Sequence, residues 1–313
     1  MQKDKEDGKF TCLQTLNTYD LKDIVGNEQV VAALRGAADC GRVPHALCVA
    51  GKPGSGRKML SYAFAKALQC EAGRGAQTCG VCASCIALEA GTHPDVIRIR
   101  AEKNSIGVDV VRERIVAEMS YKPYRYAYKI FVVEDACALT PQAQNAMLKT
   151  LEEPCGYGVI ILVADRVDNL LPTVRSRCVM FAMRSVGEDK AAEYLRLRLG
   201  IGAEDAAQLA QLSQGLIGRA VQLASDEEYR ALRSHTQRLA EHAAVCSVVE
   251  LFAFSKELEQ YKHRLADVFE ILIHYYREES AAQDVLDKAR ARLRHNGNFQ
   301  LVMDSLLLSL RGL

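Results

Sequence analysis

No stretch of about 18 apolar residues occurs in the 313-residue sequence, so a membrane-spanning helix is not expected. The opening residues, MQKDKEDGKF, lack the apolar core of a secretory signal, which makes the cytoplasm the expected compartment. Neither sign of charge dominates: 40 Lys and Arg stand against 39 Asp and Glu. That balance excludes a polyelectrolyte tail or a basic nucleic-acid coat. With no aromatic-rich basic cluster either, any nucleic-acid contact must come from a local patch. Internal repeats and low-complexity stretches are also missing.

What the chain does have is apolar mass and cysteine. With 49% apolar residues, it can bury the cores of two or three domains. Its 11 cysteines are odd in number and scattered, which argues against a disulfide framework. Cys48 and Cys246 sit in apolar surroundings and read as small buried hydrophobes. Four others cluster as Cys70-x8-Cys79-x2-Cys82-x2-Cys85. Four soft ligands in paired C-x-x-C turns suit tetrahedral Zn²⁺, and they leave no ligand position open for chemistry, so the site reads as structural. The alternatives are unmetallated thiols, a redox C-x-x-C pair and an iron–sulfur cluster.

Along the chain, residues 1–18 read as an extension or loose first helix. Helical spacing follows over Gln29–Cys40, with Val30, Val31, Leu34 and Ala37 on one face. His45–Ala50 is a short apolar strand, Gly51–Gly56 a glycine-rich turn, and Arg57–Cys70 a helix. Val96–Ile99, Lys129–Val133 and Val159–Val163 are further strands. Helices are expected over Val108–Met119 and from Thr140, where Thr as N-cap and Pro141 in the first turn form a start signal. Alternating strands and helices predict a parallel sheet with helices on both faces. Past about Arg184 only helical patterns remain: Glu188–Leu199, Glu204–Leu212, Leu216–Ser225, and then continuously from about Glu228. The expected layout is an α/β domain over 1–184 with a cysteine insert at about 70–92, a small helical domain over 185–227, and a helical domain over 228–313.

Strand, glycine loop and helix together match the context of a phosphate-binding P-loop, G-x-x-x-x-G-K-[ST]. Gly51, Gly54 and Gly56 give the loop its shape, and the following helix N-terminus suits an anion. Arg57 occupies the lysine position, which is not a conservative exchange. Lys58 stands where a hydroxyl should ligate Mg²⁺, and an ammonium repels a cation. The strand over Lys129–Val133 ends on Glu134-Asp135, the reverse of the Asp-Glu order that holds metal and activates water in hydrolytic proteins of this design. Misplacing a carboxylate by a methylene is costly for such chemistry. Together these changes predict lost Mg-ATP hydrolysis and leave ATP/Mg²⁺ binding by this chain in doubt. The bland reading of the glycines alone is a flexible loop.

Several segments resemble the bacterial clamp-loader AAA+ proteins of DNA polymerase III: Asp23-Ile-Val-Gly-Asn-Glu28, Pro44-His-Ala46, Gly51–Lys58, the four-cysteine insert, Gly91-Thr-His-Pro-Asp95, Asn145–Pro154 and Ser176-Arg-Cys178. The match runs from about Tyr19 to Arg219. The resemblance implies an AAA+ α/β domain, a helical lid and an all-helical collar through which subunits assemble. It implies that Arg177 is an arginine finger reaching a neighbour's ATP, and that Arg219 sits at the lid's sensor position. On the residues alone, both read as solvated surface arginines. The implied partners are the gamma and tau motor subunits and the delta subunit. The sliding clamp and primer-template DNA would be reached through the assembled complex, with no membrane partner. The degenerate loop points to a non-hydrolysing member of the family. The competing readings are a catalytically active gamma-type ATPase and a zinc-bearing nucleic-acid-binding module.

Overall fold

A computed structural model describes residues 19–73, 77–101, 105–243, 245–294 and 298–311. The extension expected over 1–18 lies outside them. By contact the chain divides into two compact units, Met1–Ala220 and Val221–Leu313.

Unit one is built on five parallel strands: β1 (Ala46–Ala50), β2 (Val96–Ile99), β3 (Lys129–Val133), β4 (Gly158–Ala164) and β5 (Val179–Ala182). Their order is β2-β3-β4-β1-β5. The helices are α1 (Glu28–Asp39), α2 (Arg57–Gln69), α3 (Ala83–Glu89), α4 (Val108–Val111), α5 (Pro141–Glu152) and α6 (Pro172–Arg175). Side chains alternate along each strand, so the sheet has two apolar faces. Phe131, Val133, Ile160 and Leu162 pack with Val111, Ala143 and Met147 on one side. Ile130, Val132, Ile161 and Val163 pack with Leu34, Leu60 and Phe64 on the other. Helices therefore cover both faces, as the alternation predicts. Thr140 caps α5 by accepting from the Ala143 N–H at 3.2 Å.

Three local features depart from the sequence reading. β5, Val-Met-Phe-Ala, escaped it: the strand is four residues long, lies at the sheet edge and leaves Val179 and Met180 exposed, so no buried apolar run marks it. The helix expected over Val108–Met119 widens into a π-helical segment over Arg112–Ala117. Cys48 is fully buried as expected, but Cys246 is only half-buried and Cys40 is exposed. The reading of Cys246 as a buried hydrophobe is thereby corrected.

After β5 come α7 (Glu188–Leu199) and α8 (Ala203–Leu212), joined through Gly200, which ends α7 in the left-handed region. Helix α9 (Ile217–Ser225) crosses the division between the units. Unit two continues with α10 (Glu227–His242), α11 (Val248–Leu258), α12 (Leu265–Tyr275), α13 (Ser280–Arg294) and α14 (Phe299–Arg311). Leu232, Leu251, Leu272, Leu286 and Leu307 are among its buried residues. A capping box between Ser247 and Glu250 starts α11. Among the described residues, no helix is long and apolar enough to cross a membrane.

Candidate phosphate-loop site and cysteine centre

β1 runs straight into the glycine loop at the carboxyl edge of the sheet, where ligands of open α/β sheets bind. Gly54 and Gly56 hold φ of +84° and +88°, a conformation glycine adopts without steric cost. Gly56 precedes α2 with no side-chain cap, leaving the first N–H groups of that helix to the loop. The loop is engaged by its own chain. The Gly218 N–H donates to the Gly54 carbonyl at 2.9 Å, and a Cβ on Gly54 would stand 2.8 Å from the Arg219 nitrogen. Arg219 is thus brought to the loop through its backbone.

Lys58 Nζ lies 3.2 Å from Glu134 Oε2 and 3.5 Å from Asp135 Oδ1, so one ammonium bridges both strand-end acids. The buried Glu134 also accepts from the Tyr62 hydroxyl at 2.5 Å and pairs with Arg100 Nε at 2.9 Å. Burial acts to raise its carboxyl, but the Tyr62 and Arg100 hydrogen bonds and the Lys58 charge outweigh it, so Glu134 is held below the usual carboxylate range. Burial and the bond to Glu134 push the Tyr62 hydroxyl up. Both strand-end acids are thus already paired with an internal cation.

Arg57, in the lysine position, is half-buried. Burial lowers it, opposed by the nearby Asp165, Cys137 and Asp135. Asp165 follows β4 directly, beside the end of β1. Its carboxyl is held below the usual range, first by the Cys137 thiol and in part by Arg57. The sequence reading missed Asp165, although the signal that selected Glu134-Asp135, an acid closing a buried strand, applies equally to it. A carboxylate whose charge acts on Arg57 competes with a phosphate for that arginine.

Arg177 lies between α6 and β5. Its Nη2 pairs with Glu152 Oε1 at 2.6 Å and its Nη1 donates to the Thr173 carbonyl at 2.9 Å, with the side chain about one third exposed. Val179 pairs with Leu47 near the start of β1. Arg177 therefore belongs to the amino edge of the sheet. Four residues of parallel strand separate that register from Gly51, on the order of 13 Å. The structure does not bring Arg177 to this chain's own loop.

Cys70, Cys79, Cys82 and Cys85 converge, with all four Sγ atoms within 4.8 Å of one another. Cys70 and Cys79 are 3.7 Å apart and Cys79 and Cys85 4.0 Å. Zinc–sulfur bonds of about 2.3 Å in a tetrahedron require sulfur–sulfur edges of about 3.8 Å. Gly80, at φ +71°, makes the turn between ligands. Backbone N–H groups of Cys79, Cys82 and Cys85 point to the sulfurs of Cys70, Cys79 and Cys82 at 3.4, 3.3 and 3.5 Å. Such donors favour thiolate, and the Val81 and Cys82 backbone bonds bring the Cys79 thiol down to about 6. Burial pushes Cys85 up. The cluster can hold a metal ion.

The Gly91–Asp95 segment ties this centre to the sheet. The His93 ring bonds Ser84 of α3 through Nε2 at 3.1 Å and accepts the Asp95 N–H on Nδ1 at 3.1 Å. The buried Asp95 carboxylate accepts the N–H groups of Tyr124, Arg125 and Tyr126 at 2.7, 3.1 and 3.2 Å, fixing the loop that leads into β3.

A parallel sheet in this order, with a glycine loop leaving β1 and acids closing β3, defines an AAA+ type of P-loop protein. The family model described as DNA polymerase III, delta subunit, matches residues 26–187, just over half of the chain. The chain belongs to this clamp-loader family of DNA polymerase III. It is 34% identical over 215 residues to DNA polymerase III subunit delta' of Escherichia coli K12, a match covering 68% of this chain and 63% of that one. It is also 34% identical over 200 residues to subunit tau/gamma of Haemophilus influenzae, covering 62% and 29% respectively. The matches thus span less than two thirds of either relative's length. The crystal structure of a DNA polymerase III gamma subunit-related protein from Thermotoga maritima shares the fold, with a TM-score of 0.50, 21% identity, and coverage of 89% of this chain and 98% of that one.

Proposed function

We propose that this chain is a non-hydrolysing, delta'-like clamp-loader subunit that supplies Arg177 to the ATP of a neighbouring motor subunit. The observation that carries the first half is Lys58 bridging Glu134 and Asp135 at 3.2 and 3.5 Å. An ammonium there takes both carboxylates that a magnesium nucleotide would need, and at Glu134 Arg100 adds a second cation and Tyr62 a hydroxyl donor. Asp165, whose charge acts on Arg57, further disfavours nucleotide in this loop. A gamma-type motor would need these groups released.

Support for the second half is the position of Arg177 at the amino edge of the sheet, away from the chain's own loop and partly exposed. A guanidinium presented to a transferring phosphoryl group stabilises its developing charge. In this reading residues 185–227 form the lid and residues 228–313 the collar of a cytoplasmic assembly. The gamma/tau motor and delta subunits are the partners, and the assembly opens the sliding clamp and places it on primer-template DNA. The four cysteines would hold a structural Zn²⁺ that fixes the 70–92 insert. The test is Arg177→Ala in the reconstituted assembly. ATPase of the complex should fall by on the order of 10²-fold or more at the site that the finger serves, with assembly intact. Unchanged turnover by an intact complex would remove the finger role.

A further inference from the structure

Two separate elements hold the Arg177 guanidinium. Glu152, which takes Nη2 at 2.6 Å, is the last residue of α5. Thr173, whose carbonyl takes Nη1 at 2.9 Å, belongs to α6. The Ser176 hydroxyl lies 3.3 Å from the same Nη1. Four residues of helix are too few to keep a shape alone, so α6 depends on what it is tied to. Gln144 of α5 supplies the tie. It is only 2% exposed, its Nε2 donates to the Leu139 and Asn169 carbonyls at 3.1 and 3.2 Å, and its Oε1 accepts the Leu171 N–H at 2.7 Å. Val174 of α6 is buried in the same core cluster as Met147 and Leu151 of α5. The two groups that grip Arg177 therefore stand on one fixed support.

Glu152 is badly placed as a helix residue. It lies at the negative end of the α5 dipole, where a cation is favoured and a carboxylate is not. Its side chain is about half exposed, so the pair with Arg177 is screened and adds little to stability. What the pair does is restrict the arginine. A free arginine side chain samples many rotamers and loses that freedom when it is fixed on a phosphoryl group. A guanidinium has five N–H donors. The contacts to Glu152, Thr173 and Ser176 engage at most three of them, which leaves donors for phosphate oxygens.

We infer that Glu152 is a positioning residue for Arg177. With the Thr173 carbonyl it fixes the guanidinium before a neighbour's ATP is met, so that less rotamer freedom is lost in the transition state. This inference rests on the finger role proposed above. Glu152 acts through Arg177 and contacts no phosphate itself.

The test uses the reconstituted assembly with the other motor sites inactivated in their own loops, so that turnover reports the site this chain serves. Glu152→Ala should lower kcat about fivefold, the population change that a screened pair can produce. KM for ATP should stay the same, because the motor's own loop binds that nucleotide. Glu152→Gln, which keeps an oxygen acceptor for Nη2, should recover most of the loss. In an Arg177→Ala background, Glu152→Ala should have no further effect. If Arg177→Ala lowers turnover while Glu152→Ala leaves it unchanged or raises it, the finger role stands and the positioning role is overturned. An equal loss from Glu152→Ala with and without Arg177 would overturn it too. Unchanged turnover with Arg177→Ala would remove both roles.

Discussion

Replacing Lys58 by threonine removes the cation that Glu134 and Asp135 share and puts a hydroxyl where a magnesium-binding loop carries one. The Lys58 side chain is about half exposed, so its two contacts count as solvent-screened pairs. The loss should be about 1 kcal/mol, lowering the melting temperature of a domain this size by about 2–4 °C. Glu134→Ala should cost more. It leaves the buried Tyr62 hydroxyl and Arg100 without their shared charged acceptor, a loss of about 3 kcal/mol. Thermal melts with no magnesium added and in millimolar MgCl₂, both without chelator so that metal at the cysteine centre stays in place, separate the possibilities. The unsubstituted chain should melt at the same temperature in both, because Lys58 already fills the cation's place. Lys58→Thr should melt lower without magnesium and recover when it is added. The reasoning is refuted if the unsubstituted chain is stabilised by magnesium, or if Lys58→Thr costs as much as Glu134→Ala.

Metal analysis of the purified chain should find one zinc ion, and Cys79→Ser should lose it and lower the melting temperature; a full complement of zinc in that variant would contradict the four-thiolate site. In unit two, His235 is held below its ordinary value by burial, with Arg238 acting in the same direction and Glu257, 3.3 Å from Nδ1, opposing. The neutral ring is therefore the folded form. Its contribution is full above the unfolded value of about 6.5 and is lost as pH falls from there through the folded value. Denaturant titrations between pH 7.5 and 5 should show the unsubstituted chain losing more stability than His235→Phe. Parallel losses would rule out this titration.

Much of the sheet was legible because buried parallel strands are nearly continuous apolar runs, and β1, β3 and β4 are of that kind. β5 was not, since an edge strand with exposed residues has no such run. The glycine loop, Lys58 and the acids closing β3 could be read directly, and so could the cysteine spacing. The partners of Glu134 were harder. Tyr62 lies four residues beyond Lys58 on α2, so helical spacing places both on one face, but nothing local marks Tyr62 as polar rather than core. Arg100 reaches Glu134 only because Ile99 pairs with Val133, a register that exists once β2 and β3 are neighbours.

The most direct measurement is magnesium-dependent ATP binding and turnover by the isolated chain. With Lys58 seated between Glu134 and Asp135, neither a calorimetric signal for Mg-ATP nor hydrolysis above background should be found. Saturable Mg-ATP binding accompanied by turnover in the absence of other subunits would contradict the account at its root.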